Sequence, residues 1–226
     1  MLMTDRRPIA LGFVAGFVDT CGFVALFGLF SAHVTGNFVL LGASLIRPHA
    51  GVIAKLLALP VFMAAVAGTR LFLIRSGGSD RSVREVLAAE VLFLVLFLAA
   101  GVAAAPIVDA DDGIAILTGM LAVAAMGIQN AASRTVFAAY SPTTVMTGNV
   151  TQIVLDCVDY IALPATEIKG AALARLSKLV PPVIAFALGA ALGALGYGAV
   201  GFWCLLLPIA VLGVLLAVRI PDLQMR

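Results

Sequence analysis

The sequence predicts an all-α integral membrane protein with about six spanning helices and two short or discontinuous helices, arranged as an inverted internal repeat. Three observations predict this class. The chain of 226 residues is 62% hydrophobic and only 12% charged, whereas soluble domains carry about 25% charged residues. Apolar runs of about 18 residues or more recur along its length, as spanning helices require. A Thr-Gly-Asn sequence also occurs twice, each time between two apolar runs.

Polar breaks divide the chain into eight apolar segments. They cover residues 9–30, 35–46, 52–74, 85–105, 114–139, 147–163, 178–199 and 201–218. The first segment follows two arginines, as a signal peptide would, but it exceeds the roughly 15 residues of a signal core and no A-x-A cleavage site follows. We interpret it as the first membrane helix. The amphiphilic stretch 163–178 either starts the next helix or lies at the interface.

The connecting segments predict two halves. Residues 75–85 read as a charged loop, and residues 106–113 form an acidic turn. Pro142 separates the fifth segment from the sixth, because proline cannot continue a helix. We therefore expect a first membrane repeat over 1–105, a connecting loop over 106–113 and a second membrane repeat over 114–226.

The second segment is too short to cross a bilayer. From Thr35 to Ile46 a helix would be about 18 Å long, against a hydrocarbon core of about 30 Å. Suppose that the second and sixth segments do not cross. One side of the membrane then carries the C-terminus and the positive residues near the N-terminus, in 75–85 and in 169–178. In this arrangement Arg47 and Lys55 face outward, which the positive-inside rule disfavours. The positive-inside rule favours this arrangement over eight crossings, with both termini cytoplasmic. Three spans per half then insert in opposite senses, as in inverted-repeat transporters.

Residues 16–45 and 127–156 carry the repeat. In both, a glycine precedes a side-chain oxygen by three residues, an aromatic residue precedes the break, and Thr-Gly-Asn begins an apolar helix. The matching positions are Gly16, Asp19 and Asn37 in the first half and Gly127, Asn130 and Asn149 in the second. One gap aligns the two stretches, which favours an internal duplication.

These motifs also resemble a known family. A first helix containing Asp19 followed by SAHVTGN, and a later GIQNAA followed by VMTGN, are similar to the YoaK-like family of bacterial multipass membrane proteins. The resemblance covers nearly the whole chain. It implies a multipass helical fold in the bacterial cytoplasmic (inner) membrane. Because the family is one of unknown function, it implies no substrate.

The repeated motif predicts a binding site. Thr35 and Thr147 are natural N-caps, and a helix that begins within the membrane leaves backbone N–H groups that attract anions or polar oxygens. Two such beginnings facing each other near the midplane would form a polar site. Its substrate-binding residues would be Thr35, Gly36, Asn37, Asn130, Thr147, Gly148 and Asn149. The alternative is purely structural: the motif is a tight turn that permits close helix packing.

Ionisable residues extend this prediction. Asp19, His33 and Arg134 are candidates for proton coupling or for a polar site, because intramembrane carboxylates are costly and indicate function. His33 either pairs with Asp19 or lies at the headgroup interface, and Arg134 is a candidate counter-ion of Asp19. We interpret Glu90 as interfacial. Asp156 and Asp159 lie on one helix face, either solvated near the cytoplasmic end or deep in the membrane.

Other chemistries lack a sequence signal. No Walker A, HExxH, CxxC or G-x-S-x-G pattern occurs, so we expect no enzyme, no cofactor and no metal site. The three cysteines lie in apolar surroundings and are interpreted as buried spectators. The small net charge of +2 gives no nucleic-acid footprint. The expected partners are membrane lipid and a small-molecule or ion substrate. The Gly189-x-x-x-Gly193 spacing predicts close helix packing within the chain or in a homodimer.

Three functions fit these patterns. The first is a small transporter of a polar or anionic solute, proton-coupled through Asp19. The second is a passive channel with paired half-helices, which uses the same geometry. The third is a membrane scaffold without transport activity. The sequence favours the transporter because a titratable carboxylate inside a repeat with two helix breaks suits coupled transport.

Overall fold

The computed structural model describes residues 6–47, 50–138, 140 and 142–217, and all regular structure within these ranges is helical. The all-α prediction is therefore confirmed. The described residues form eight α-helices in succession, with a short 3₁₀ helix (Gly201–Leu205) before the last. They are α1 (Arg7–Ala25), α2 (Gly36–Ser44), α3 (Val52–Ser76), α4 (Asp80–Ala104), α5 (Gly113–Arg134), α6 (Met146–Ala162), α7 (Thr166–Val200) and α8 (Leu206–Ala217).

Within the described ranges, five stretches are long and apolar enough to cross a membrane: α1, α3, α4, α5 and the 52 residues of Thr166–Ala217. The last stretch contains α7, the 3₁₀ helix and α8, and Gly201 redirects the chain there with a φ of +60°. The chain is therefore a multipass membrane protein. By contrast, the 9 residues of α2 span only about 14 Å and the 17 residues of α6 about 26 Å, both less than the roughly 30 Å core.

The first helix ends earlier than its apolar run predicts. α1 stops at Ala25 because Phe27 and Gly28 have left-handed φ values of +51° and +80°. The carbonyl oxygen of Phe27, freed by this turn, accepts a 2.8 Å hydrogen bond from Lys55 Nζ at the start of α3. Residues 26–35, which we call the first break, thus connect α1 to α2 inside the helix bundle.

The predicted charged loop over 75–85 is wrong. α3 continues to Ser76, and α4 begins at Asp80 because the Ser79 side chain accepts a hydrogen bond from the Ser82 N–H. Such an N-cap lets the charged residues form the first turns of α4. Glu90 therefore lies deeper in its helix than an interfacial residue would. The amphiphilic stretch after residue 163 forms the start of α7.

Helices of the two halves pack against each other. α1 packs along α7, α5 packs along α3, and the α4–α5 pair has a counterpart in α1 and α8. Glycines bring the backbones of α1 and α7 together: Gly12 faces Pro182, and Gly189 and Gly193 face Phe13 and Phe17. The small-residue spacing at Gly189 and Gly193 thus serves packing within the chain, as predicted.

Contacts also give the relative directions of these helices. Residue numbers rise together along α1 and α7, from Gly12 beside Pro182 to Gly16 beside Phe186, so these helices are parallel. α5 runs opposite to α1. Its Gly119 faces Leu29, just beyond the C-terminal end of α1. Ten residues later, Gln129 Nε2 donates a 2.7 Å hydrogen bond to the carbonyl of Leu11, near the N-terminal end of α1.

Candidate functional site

The first break is organised around the carboxylate of Asp19. Asp19 Oδ1 accepts hydrogen bonds of 2.7 Å from the backbone N–H groups of Ser31 and Ala32 and one of 3.2 Å from Ser31 Oγ. These backbone groups have no helical partners because the chain is irregular here, and a carboxylate in the interior satisfies several at once. The Asp19 side chain is 6% exposed.

The other carboxylate oxygen of Asp19 binds His33. The Oδ2–Nδ1 distance is 2.7 Å, and the imidazole is 36% exposed. Because Asp19 forms this hydrogen bond, it raises the pKa of His33 above its ordinary value. The predicted pairing of these residues is confirmed. The imidazole ring also meets Phe186 of α7 edge-on, with centroids 5.4 Å apart, so the pair lies where the two halves touch.

Asn37 closes the first break. Its Oδ1 accepts a 3.0 Å hydrogen bond from the Phe30 N–H, and its Nδ2 donates a 2.9 Å bond to the Phe30 carbonyl. Gly36 leaves room for the Phe30 ring, since a Cβ there would lie 2.9 Å from Phe30 Cδ2. The Gly-Asn of the motif thus holds the start of α2 against Phe30, seven residues before Asn37.

A similar set of bonds closes the second break, which we define as the described residues from Thr135 to Val145. Asn149 Nδ2 donates to the Pro142 carbonyl over 2.8 Å, again seven residues back. Asn130 Nδ2 donates to Thr144 Oγ1 over 2.7 Å, fourteen residues ahead, the separation that joins Asp19 to His33. The second break therefore has neutral groups where the first has a titratable pair.

Gln129 ties the second break to α1. Its Nε2 donates to the Leu11 carbonyl and, over 3.2 Å, to Thr143 Oγ1. Leu11 lies eight residues before Asp19, which is about 12 Å along the helix axis. The two breaks thus attach to the same helix at different depths.

The predicted facing of the two helix beginnings is not confirmed by the described residues and stays a prediction. α2 packs against α3 and α6 against α7, and α2 and α6 do not contact each other. The first amides of α2 are also occupied: the N–H groups of residues 36, 37 and 38 donate to the carbonyls of His33, Val34 and Thr35. Because these turn hydrogen bonds satisfy the first N–H groups of α2, the groups are not free to bind an anion.

The threonines and Arg134 differ from their predicted roles. Thr35 occupies the N-cap of α2, but its exposed side chain forms no capping bond there. The N-cap of α6 is Val145, which leaves Thr147 and Gly148 exposed in the first turn. Arg134 is exposed at the end of α5, and among the described residues the ion-pair partner of Asp19 is His33 instead. Substrate binding by the predicted residues stays a prediction.

Three buried charged groups were missed or misjudged from sequence. Lys55 is 2% exposed and donates to backbone carbonyls at the first break. Asp156 is buried and accepts bonds of 2.9 and 2.7 Å from Arg175 Nε and Nη2, and this guanidinium holds the pKa of Asp156 below its usual value. Glu90 is fully buried. The Ser79 N-cap was the sequence signal that could have placed Glu90 deep in α4.

The cysteines divide into two environments. Cys21 and Cys204 are buried, with their Sγ atoms 3.7 Å apart, as expected for spectators in apolar surroundings. Cys157 is exposed on α6, contrary to the expectation of burial.

Comparison with known proteins gives a family and no function. The chain matches no curated protein and no solved structure. A family model described as "Protein of unknown function (DUF1275)" matches residues 8–218, nearly the whole chain. This agrees with the resemblance of the paired motifs to a multipass family without an established function. The helical membrane fold and this match together show that the chain belongs to the DUF1275 family.

Proposed function

We propose that this protein is a small transporter of the bacterial cytoplasmic membrane that moves a small polar or anionic solute and couples its movement to protons. The observation that carries the proposal is the Asp19–His33 pair at the first break. A buried carboxylate inside a membrane helix is costly and indicates function. Here it is bound to a partly exposed imidazole that can exchange protons near neutral pH.

Contacts between the halves support an inverted repeat. α1 packs on the third helix of the second half and α5 on the third helix of the first half. The contacts match in detail: Gly16 faces Phe186 of α7, and Gly127, its counterpart, faces Phe62 and Ala65 of α3. The side-chain hydrogen bonds at the two breaks join residues with the same sequence separations, 7 and 14 residues. This equality also supports a repeat. Transporters with alternating access are commonly built from such repeats, with binding sites at broken helices.

The opposed directions of α1 and α5 support two non-crossing segments. If α2, α3 and α4 all crossed the bilayer, α1 and α5 would run in the same direction. They run in opposite directions, which supports an arrangement in which two of the three intervening helices cross. α2 is the one that is too short to do so. This arrangement puts Arg75, Arg81 and Arg84 on the side of the N-terminus, as the positive-inside rule favours.

The position of His33 suggests how coupling would work. Its ring contacts Asp19 of its own half and Phe186 of the other half. A rocking of one half against the other would therefore change the surroundings of the imidazole. Because the bond to Asp19 favours the protonated ring, any conformation that breaks it releases a proton. Conformation and proton binding are then linked reciprocally.

Proteoliposomes containing an internal pH-sensitive dye test this proposal. Small anions, amino acids and nucleobases are added outside one at a time, and internal pH and solute uptake are recorded. We expect at least one solute to enter together with a pH change. Asp19→Asn and His33→Gln should abolish the pH change, and Val39→Ala, at an exposed position of α2 outside the predicted site, serves as the matched control.

Two results would contradict the proposal. Uptake without any pH change, equal in all variants, would favour a passive channel. No uptake of any solute by folded protein would favour the scaffold.

A further inference from the structure

Glu90 is a buried carboxylate that the proposed mechanism does not use. It is fully buried, and neither of its two carboxylate oxygens has a hydrogen-bond partner among the described residues. α4 has 25 residues and begins at Asp80, so Glu90 lies about 15 Å along the helix, near the middle of a core about 30 Å thick.

The surroundings of Glu90 are apolar. The buried residues within two turns on the same face of α4 are all hydrophobic: Val83, Val86, Leu87, Leu94 and Phe97. α4 packs against α3, α5, α8 and the 3₁₀ helix. Their ionisable side chains are Lys55, Arg70 and Arg75 of α3, Arg134 of α5 and Cys204 of the 3₁₀ helix.

None of these groups neutralises Glu90. Lys55 donates to carbonyl oxygens at the first break, while Arg70, Arg75 and Arg134 are exposed. Cys204 is paired with Cys21 through a sulfur contact. An ionised carboxylate without a partner in an apolar interior is too costly to persist, so the side chain is held as the neutral acid.

A cavity lies beside the part of α4 that carries Glu90. A space of about 310 Å³ lies between α3, α4 and α5 and is lined in part by Val86, Ala89 and Phe93, which flank Glu90 on its helix. Glu85 lines the same cavity and is 42% exposed, in an ion pair with the solvent-exposed Arg81. The cavity therefore runs along α4 from the partly exposed carboxylate of Glu85 past the level of Glu90.

We propose that Glu90 is a proton-binding site in the membrane interior, loaded through the α3–α4–α5 cavity from the aqueous side on which Glu85 lies. Its ligand is a proton. The use of that proton to drive solute movement rests on the proposed transport function. Proton binding itself does not, and it is tested without any solute.

A hydrophobic carbodiimide provides the test on purified, detergent-solubilised protein. The acid O–H adds across one C=N bond, so oxygen joins the carbodiimide carbon and the proton goes to nitrogen. Acyl migration then gives a stable N-acylurea with no leaving group. Only the protonated acid reacts. We expect a mass gain of one carbodiimide located at Glu90 by peptide mass spectrometry, and the labelling should decline as the pH is raised.

Two variants make the result specific. Glu90→Gln should lose the label and the infrared C=O band of a buried carboxylic acid, while its melting temperature stays close to that of the parent, because no hydrogen bond is removed. Glu85→Gln, one turn nearer the solvent, should keep both signals. An unlabelled Glu90, or labelling that does not change with pH, would overturn the inference. A pH-dependent label in a protein that moves no solute would sustain it while the transport proposal fails.

Discussion

Asn37 shows how one side chain maintains the first break. It is 1% exposed and forms two hydrogen bonds with the backbone of Phe30. In hydrocarbon an unsatisfied backbone group costs several kcal/mol, so irregular chain survives there only with such partners. The same side-chain amide in the second half, Asn149, bonds to Pro142. The asparagine of the motif therefore holds the irregular backbone through hydrogen bonds, whereas the threonine before it does not.

Replacing these two neighbours should separate their roles. Asn37→Ala removes both bonds and leaves buried backbone groups unpaired, at a cost of about 2–4 kcal/mol in stability. Thr35→Val should change stability by less than about 0.5 kcal/mol, whereas loss of a true N-cap costs about 1 kcal/mol. Reversible unfolding of both variants in mixed micelles would measure this. Equal losses would mean that Thr35 does cap α2.

His33 should make stability depend on pH. Asp19 raises the pKa of His33 in the folded protein, so the pair stabilises the fold fully below the unfolded value of about 6.5. This contribution is lost as the pH rises through the higher folded value. The melting temperature of the parent should therefore fall toward that of His33→Gln as the pH is raised above about 6.5. Parallel melting curves over that range would contradict the assignment.

Sequence reasoning at the residue scale succeeded where chemistry was local. Asp19 and His33 are separated by a short break, so their pairing was predictable. It failed for Glu90 and Arg134, because their roles depend on helix starts and neighbouring helices. Glu90 appears interfacial only if the helix begins at residue 85, and Arg134 could neutralise Asp19 only if the end of α5 lay beside it.

At the scale of helices, the close contact between α1 and α7 depends on glycine residues in α7. Phe13 and Phe17 present their carbonyl oxygens to Gly189 and Gly193, and the Cα atoms lie close beyond them. A side chain at either glycine would collide with backbone, which cannot move aside as a flexible side chain can. The helices hold together because this approach allows continuous van der Waals contact.

Adding one methyl group should test this contact. Gly189→Ala introduces a Cβ against the Phe13 carbonyl, and such overpacking costs about 1–3 kcal/mol. Gly198→Ala lies in the same helix with no atom within 4 Å of its Cβ. It should be neutral or stabilise by up to about 1 kcal/mol, because alanine favours a helix over glycine. Equal effects in thermal unfolding would show that α1 and α7 do not meet at Gly189.

Element boundaries were predictable where the sequence carries its own stop signals. The acidic turn before α5 was identified, and Asp112 caps that helix by accepting from the Ile114 N–H. The early end of α1 was not, because Phe27 adopts a left-handed φ that its residue type does not suggest. The carbonyl contacts of Lys55, 28 residues later, help to hold that turn.

For the whole molecule, the sequence predicted two similar halves but not how they pack. Motif spacing predicted a relation between α1 and α5, since each is followed by a break and a Thr-Gly-Asn sequence. The exchange of partners, with α1 against α7 and α5 against α3, arises from contacts between distant segments, which no local pattern encodes. The contacts of the two breaks with α1 at different depths, at Asp19 and near Leu11, arise in the same way.

The central claim is that α2 does not cross the membrane, so that the two halves insert in opposite senses. Single cysteines at Arg6, Ser79 and Asp111, in a Cys157→Ser background, test it by labelling with a membrane-impermeant maleimide in cells and in inverted vesicles. The account predicts that positions 6 and 79 react from one side and position 111 from the other. Reaction of position 79 from the side opposite to position 6 would mean that α2 crosses and would contradict the inverted arrangement.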